Sequence, residues 1–250
     1  MLNKVKSAFG GKKVFLVLFA LILALAFFAG YTPAQASKDQ IKLKVFEHFP
    51  NPGKPAPISY CTPTTSDPND YDPADWQMPA EGLNYSINLT TKPKNLTDTQ
   101  IQTAIENSFA TWTNADPAQI FTPAGPTLAR NAKYDGINAV LFKSSRAGAI
   151  AITYVWYYTS THEVVETDTV FNRRYRWSVN DPSSGDCAGQ IGTYDLQNIG
   201  THEFGHWIGL DDLYSEVDKD LTMYGYGDLQ ELKKDSLGSG DIAGVLAIAP

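Results

Sequence analysis

Cysteine, histidine and positive charge are all scarce in this sequence of 250 residues. It contains two cysteines and four histidines, and 20 Lys and Arg residues stand against 27 Asp and Glu, for a net charge of −7. Because phosphate binding needs a basic face, this balance argues against nucleic acid as a partner. The sequence also has no internal repeat and no low-complexity tract.

Long hydrophobic runs are equally scarce, and the one that stands out is Val14 to Ala29. The residues before it, 1–13, carry four lysines and no acid, and a small-residue site, Ala34-Gln35-Ala36, follows it. This order is typical of a secretory signal peptide, here residues 1–36. The alternative is an uncleaved membrane anchor, since the run is only slightly short of the ~20 residues of a span. The cleavage pattern favours removal, and no cysteine follows the run to carry a lipid anchor.

The chain that cleavage would leave is more acidic and begins with a proline-rich stretch. Losing four lysines and no acidic residue changes the net charge from −7 to −11, which suits a soluble, secreted protein. Eight of the fifteen prolines then fall between Pro50 and Pro79. Because proline blocks helices and sheet ladders, residues 37–77 are predicted to be a mostly irregular extension, either a pro-segment or an arm wrapped on the following domain.

A compact domain is predicted over residues 78–250. Thr97 and Gln100 form a capping box, which marks the start of a helix. Alternating patterns, or runs of β-branched and aromatic residues, predict strands at 83–89, 138–142, 150–158 and 164–171, with a turn at 160–162. Apolar residues at helical spacing after the capping box predict a core-facing stripe made of Ile101, Ile105, Phe109 and Trp112.

Two histidines four residues apart form the strongest functional signal. At 3.6 residues per turn, His202 and His206 lie on one face of a helix and can direct one nitrogen each at a single metal ion. Glu203 would then lie beside the open face of that ion. Two histidines alone would ordinarily be satisfied surface or core side chains. The residues that follow them favour a catalytic zinc site instead.

Catalytic zinc takes three protein ligands, so that the fourth position can be water, and a third ligand is therefore needed. Gly209 stands where a helix would end in the left-handed conformation, which lets the chain turn back toward the metal. Asp212 follows at the right spacing, whereas Asp211 is predicted to hydrogen-bond elsewhere or to face solvent. The predicted ligands are thus His202, His206 and Asp212, with Glu203 as the catalytic base.

The pattern H-E-x-x-H-x-x-G-x-x-D resembles the metzincin signature, with aspartate where most members have a third histidine, as the snapalysin family does. Residues 168–172 and 175–177 resemble the D-x-V-F-N and Tyr-x-Trp segments of the matrixins, a metzincin branch. Residues 221–224 resemble the Met-turn, and residues 240–245 resemble the last helix of that branch. The resemblance covers roughly residues 78–250.

Several expectations follow from the resemblance. The fold would be α+β: a metzincin-like catalytic domain with a twisted mixed β-sheet packed on an active-site helix, a Met-turn and a C-terminal helix. The activity would be that of a zinc endopeptidase with one catalytic Zn²⁺, in which Glu203 takes a proton from a water activated by the zinc. An extended protein or peptide substrate would lie antiparallel to an edge strand, here 149–158. The resemblance also permits bound calcium (Ca²⁺), but the motifs do not indicate which residues would bind it.

The departures from the matrixin pattern carry expectations of their own. Only His48 and His162 lie outside the motif, so no second, structural zinc is predicted, and both are expected to be ordinary surface or turn histidines. Astacins and serralysins place a tyrosine where this chain has Gly225, which leaves Tyr224 and Tyr226 as weak catalytic candidates. The rival function is a secreted, non-catalytic zinc-binding or adhesion module, for which Glu203 would not be needed.

The two cysteines, Cys61 and Cys187, are predicted to form a disulfide that ties the extension to the domain, because an isolated pair in an exported protein usually does so. The alternative is a cysteine switch, in which a free thiolate would bind the zinc. The matrixin pro-segment motif is absent around Cys61, which favours the disulfide. The mature protein is expected to be a monomer that does not associate with membranes once the signal peptide is removed.

Overall fold

A computed structural model describes residues 39–53, 68–145, 148–180 and 189–248. The contacts divide the chain into two units, residues 1–39 and 40–250, and the fold below belongs to the second. The predicted signal peptide and both cysteines lie outside the described residues, so the cleavage site and the disulfide stay predictions. Within the described ranges, no helix is long and apolar enough to cross a membrane.

The strands in the described residues are β1 Ile41–Pro50, β2 Leu83–Ile87, β3 Phe121–Pro126, β4 Ala139–Lys143, β5 Ala151–Tyr158, β6 Val164–Asn172, β7 Trp177–Ser178, β8 Tyr194–Asp195 and β9 Tyr226–Gly227. Seven of them form the main sheet, in the order β3-β2-β4-β6-β5-β1-β9. Strands β2, β3, β4 and β6 pair in parallel, β5 lies antiparallel to β6 and to β1, and β1 lies parallel to β9. A two-stranded parallel sheet joins β7 to β8.

Three α-helices accompany the sheet in the described part of the chain: α1 Asp98–Ala115, α2 Leu196–Ile208 and α3 Ser239–Ala247. The capping box at Thr97 and Gln100 is present and starts α1 where the sequence predicts. Helix α1 packs on α2, and the rings of Phe109 and Phe204 stack with their centroids 3.8 Å apart. Short 3-10 turns occupy Leu89–Thr91, Glu216–Asp218 and Lys233–Asp235.

The predicted α+β class with a mixed sheet on a buried helix is confirmed. Every residue of α2 is buried, because α1 covers one side of it and the sheet covers another. Strand β2 lies where alternation predicts it, and β4, β5 and β6 lie where runs of β-branched and aromatic residues predict them. Strand β3 escapes prediction because it contains Pro123, Gly125 and Pro126, which are turn residues. It lies at the edge of the sheet, where a missing N–H is tolerated.

The prediction of a mostly irregular extension is wrong for residues 41–50, which form the ten-residue strand β1. The prediction follows the dense prolines and overlooks the short alternation of Ile41, Leu43 and Val45 with lysines, although the side chains of Leu43 and Val45 are more than 40 % exposed. The buried positions are instead Phe46 and His48. The expectation that residues 149–158 form an edge strand is also wrong, because β1 pairs with the outer side of β5.

Candidate metal centre

The geometry of α2 shows an aspartate cap at its start and confirms the predicted end at Gly209. The side chain of Asp195 caps the start, because Oδ1 accepts hydrogen bonds from the backbone N–H groups of Gln197 and Asn198. Gly209 ends the helix with φ of 110°, in the left-handed region that favours glycine. A Cβ at this position would lie 2.3 Å from the carbonyl oxygen of Trp76, so a side chain would also collide there.

The rings of His202 and His206 are each fixed through Nδ1. Nδ1 of His202 donates to the carbonyl of Thr222 at 2.8 Å, and Nδ1 of His206 donates to the carbonyl of Leu210 at 2.8 Å. A carbonyl can only accept, so each Nδ1 carries the proton and each neutral ring keeps a lone pair on Nε2. Burial and the nearby Lys234 lower the pKa of His202 to about 4, which keeps that ring neutral.

Asp212 meets the two histidines at the end of the turn. Its Oδ1 lies 3.2 Å from Nε2 of His202 and 3.5 Å from Nε2 of His206. Tetrahedral zinc with bonds of about 2.0–2.1 Å separates its ligand atoms by roughly 3.3 Å, so these distances suit a shared ion. The other oxygen, Oδ2, accepts a hydrogen bond from the hydroxyl of Tyr214 at 3.0 Å.

Among the described residues, these three inward-facing atoms have no hydrogen-bond partner. Nε2 of His202, Nε2 of His206 and Oδ1 of Asp212 are buried and unsatisfied, and they all lie within 4.8 Å of one another. Leaving buried polar atoms unpaired costs about 1–3 kcal/mol each, so such a convergence is expected only where a ligand completes it. Two imidazole nitrogens and one carboxylate oxygen are a donor set that suits zinc.

The protonation of the ligands couples metal binding to pH. Burial acts to lower the pKa of His206, but the Asp212 and Glu203 carboxylates and the Leu210 carbonyl together raise it. Burial acts to raise the pKa of Asp212, yet both histidines hold that pKa well below its usual range. A proton on His206 would compete with a metal ion for the same lone pair, so binding should release it.

Glu203 lies next to the two histidines and is fully buried. The hydroxyl of Thr153, on β5, donates to its Oε2, and Nδ1 of His48, on β1, lies 3.2 Å from its Oε1. A relay of hydrogen bonds supports this position, since Trp207 Nε1 donates to Thr169, whose hydroxyl meets that of Thr153 at 2.7 Å. Burial raises the pKa of Glu203 to about 7, a range that suits a general base near neutral pH.

The Met-turn, residues 221–224, packs against α2. The backbone N–H groups of Thr222 and Met223 donate to the carboxylate of Asp241 on α3, at 2.8 and 3.0 Å. This anchor fixes the Thr222 carbonyl, which in turn orients the ring of His202. The sulfur of Met223 packs directly against the backbone of Gly205, where a Cβ would meet it at 2.2 Å.

We therefore expect Gly205→Ala to destabilise the protein. The added methyl would meet Met223 and would also lie 2.9 Å from the ring of Trp112. Overpacking of this kind costs about 1–3 kcal/mol, which exceeds the gain of about 1 kcal/mol in helix propensity. Urea unfolding followed by circular dichroism should show the loss, and a variant as stable as the native chain would contradict the close packing.

Several residues at the centre carry no local sequence signal. His48, expected to be an ordinary surface or turn histidine, is 1 % exposed and contacts Glu203, so that expectation is wrong. His162 does lie in the turn before β6, as expected. Tyr214 fills the space over Gly225, where a Cβ would come within 2.5 Å of its ring. The buried Lys234 donates through Nζ to the backbone carbonyls at 224 and 226.

A second set of three candidate ligands, His48, His202 and Glu203, shares His202 with the first set. Two of its members already pair with each other, Nδ1 of His48 with Oε1 of Glu203. Of the two sets, the one with Asp212 therefore fits a zinc ion better.

The two tyrosines named as weak catalytic candidates, Tyr224 and Tyr226, contact each other with ring centroids 5.6 Å apart. Tyr226 also contacts the ring of Tyr214, whose hydroxyl donates to Asp212.

A buried carboxylate near the start of α2 predicts a pH-dependent stability. Neither oxygen of Asp235 has a hydrogen-bond partner among the described residues, and burial, Asp195 and Glu231 together raise its pKa to about 9. The unfolded pKa is about 3.9, so the folded state holds a proton that the unfolded state releases between these values. Stability from this group is complete below pH 4 and is lost as pH rises toward 9.

Asp235→Asn should remove this dependence, because the amide cannot ionise. We expect the variant to gain stability over the native chain as pH rises from 5 to 8, at no more than about 1.4 kcal/mol per pH unit. Urea unfolding of both proteins, with a chelator present to remove metal linkage, measures the difference. A difference in stability that stays constant between pH 5 and pH 8 would show that Asp235 is ionised in the folded protein.

The fold and the site together define a class: a mixed sheet on a buried helix that presents two histidines, a glutamate and an aspartate is the arrangement of a zinc metallopeptidase. The matrixin family profile matches residues 75–248, and the chain belongs to that family. Membership implies a zinc-dependent peptidase that acts on proteins or peptides. No individual curated protein matches the sequence.

Proposed function

We propose that the protein is a secreted zinc endopeptidase in which His202, His206 and Asp212 bind a single Zn²⁺ and Glu203 is the general base. The observation that carries this proposal is the convergence of three buried, unpaired ligand atoms beside a buried carboxylate. The family match supports the activity in general terms. Secretion rests on the basic, apolar and small-residue order of residues 1–36.

A bound zinc ion supplies Lewis-acid activation of water and of the scissile carbonyl. Glu203 takes a proton from the attacking water and passes it to the leaving amine, and its pKa near 7 suits both transfers. Thr153 holds one oxygen of Glu203 and so fixes the orientation of the carboxylate. No serine or cysteine nucleophile takes part, and the peptide bond is cleaved without a covalent intermediate.

The arrangement argues against a merely structural or adhesive zinc site. Such a site would close its fourth position with a protein ligand and would need no acid beside the metal. Here Thr153 on β5 and Thr169 on β6 form a hydrogen-bond relay that holds Glu203. Glu203 is thus fixed beside the three proposed ligands without being one of them. A zinc site with four protein ligands would not need hydrogen bonds that orient a carboxylate beside the metal.

A peptide library tests the proposal directly. The secreted protein, residues 37–250, should cleave internal peptide bonds in an unbiased library, lose this activity with a zinc chelator and regain it when zinc is restored. Mass spectrometry of the products identifies the cleaved bonds. Cleavage that persists in the zinc-free protein, or stoichiometric zinc binding without any cleavage, would refute the proposal.

A further inference from the structure

Lys234 is a buried lysine that the proposed mechanism does not use. Its side chain is 0 % exposed, and Nζ donates to the backbone carbonyls of Tyr224 at 2.6 Å and of Tyr226 at 2.9 Å. Burial lowers the pKa of Lys234 to about 8, so the ammonium group stays mostly protonated at neutral pH. Buried charges are ordinarily paired, yet no carboxylate among the described residues forms an ion pair with this one.

The third group that Lys234 meets is the ring of His48. Nζ lies 3.5 Å from Nε2 of that ring, and an ammonium group can only donate, so Nε2 accepts. The opposite edge of the ring faces the catalytic base, because Nδ1 lies 3.2 Å from Oε1 of Glu203. Lys234 therefore receives an acceptor atom from a side chain that lies directly beside Glu203.

The His48 side chain enters this space from the edge of β5 that is next to the catalytic base. Residue 48 pairs with Ala151 on β5, and the hydroxyl of Thr153, two residues further along the same strand, donates to Glu203. An extended peptide that pairs with this edge in the same register would direct a side chain into the same space, because register fixes the direction of side chains along a strand.

The shape of the space suits a long side chain that ends in an acceptor. Gly227 leaves room for it, since a Cβ there would lie 3.1 Å from Nε2 of His48. The same Cβ would lie 3.0 Å from Cδ1 of Ile150 and from Cδ1 of Ile199, so the neighbouring walls are aliphatic and supply no hydrogen bonds. As many bonds separate Cα from a carboxylate oxygen in glutamate as separate Cα from Nε2 in histidine. A glutamate therefore reaches Nζ of Lys234 from the same backbone position.

We propose that Lys234 determines specificity, and that the peptidase prefers substrates that place a glutamate where His48 lies. This inference rests on the proposed function and specifies the substrates of that same site. The substrate carboxylate accepts a hydrogen bond from Nζ and completes the ion pair of the buried ammonium group. Leucine would fill the space but leave the charge unpaired, and aspartate would be too short to reach it.

The first measurement uses the native chain, residues 37–250, with zinc bound. It hydrolyses a peptide library, and mass spectrometry identifies the residues that flank each cleaved bond. One flanking position should favour glutamate over leucine by at least about tenfold in kcat/KM, as expected for a charge-assisted hydrogen bond in a buried site, with glutamine between them. Equal hydrolysis of glutamate and leucine peptides at every flanking position would overturn the inference and leave the proposed function intact.

The second measurement assigns the preference to one residue. Lys234→Met removes the charge and keeps an unbranched side chain, so the preference for glutamate over leucine should disappear. Lys94→Met, at an exposed position, is the matched control and should keep it. A merely structural role of Lys234 would lower the hydrolysis of both peptides alike, so the ratio of their kcat/KM values is the readout. An unchanged ratio in Lys234→Met would overturn the inference.

The third measurement examines the space without catalysis. His48→Ala keeps Cβ, and acetate supplies the atoms that would complete a glutamate side chain. In zinc-free protein with a chelator present, acetate should raise the unfolding temperature of His48→Ala by about 2 °C or more relative to chloride at equal ionic strength. Acetamide, which is uncharged, should raise it less. The double variant, His48→Ala with Lys234→Met, should not respond to acetate.

The outcomes separate the two proposals. An equal response to acetate in the double variant, or no response in His48→Ala, would show that Lys234 does not bind a carboxylate at this position, and the inference would fail. A response to acetate that depends on Lys234, in a protein that hydrolyses no peptide when zinc is bound, would support the carboxylate-binding space and refute the proposed function.

Discussion

Replacement of Glu203 by Gln should lower the rate of peptide hydrolysis by at least about 100-fold while the zinc content stays at one ion per chain. The amide cannot accept the proton of the attacking water, and general-base catalysis typically contributes about 10² to 10⁴ in rate. Zinc binding should persist because Glu203 is not among the three convergent atoms of His202, His206 and Asp212. Glutamine also keeps the volume of the buried side chain, so packing should change little.

The measurement compares turnover of one library peptide with zinc content by atomic absorption. It is made in a chain of residues 37–250. Glu81→Gln is the matched control, because Glu81 is exposed and distant in sequence from the zinc motif, and this variant should keep full activity. Near-normal turnover of Glu203→Gln would exclude Glu203 as the base. Loss of zinc together with activity would instead make it a ligand.

The second large effect is expected at Asp212. Asp212→Ala removes an atom that lies within 3.5 Å of both histidine Nε2 atoms, so it should weaken zinc binding by more than 100-fold, beyond the range of about 10- to 100-fold typical of outer partners. Asp211→Ala should cost no more than about tenfold. Asp211 accepts hydrogen bonds from Lys44 and from the backbone N–H of Asp212, and it only supports the turn.

Competition with a chromophoric chelator at fixed pH measures both zinc affinities. Fixed pH matters because the raised pKa of His206 couples metal binding to proton release. The two variants are matched in residue type and differ by one position, which makes the comparison specific. A larger loss of affinity for Asp211→Ala than for Asp212→Ala would mean that the turn after Gly209 delivers the other carboxylate to the metal.

Features that depend on neighbours within a few residues could be predicted from the sequence alone. His202 and His206 share a helix face because of the period of the α-helix, and Gly209 ends the helix because glycine tolerates a positive φ. The capping box at Thr97, the alternation of β2 and the β-branched and aromatic runs of β5 and β6 are equally local. Each of these predictions needs only the chain within about one element, and each is confirmed.

The identity of the distant residues that surround the metal centre could not be predicted in this way, because it depends on packing between segments far apart in the chain. His48 is 155 residues from Glu203 in sequence, and Lys234 is 186 residues from His48, yet all three are buried together. No periodicity encodes such contacts, because they arise from the pairing of β1 with β5 and β9. In the extension, the buried residues of β1 are Phe46 and His48. Their burial could not be predicted from the sequence, because it depends on contact with the folded zinc motif. Packing between distant segments, rather than local propensity, therefore placed β1 over the metal centre.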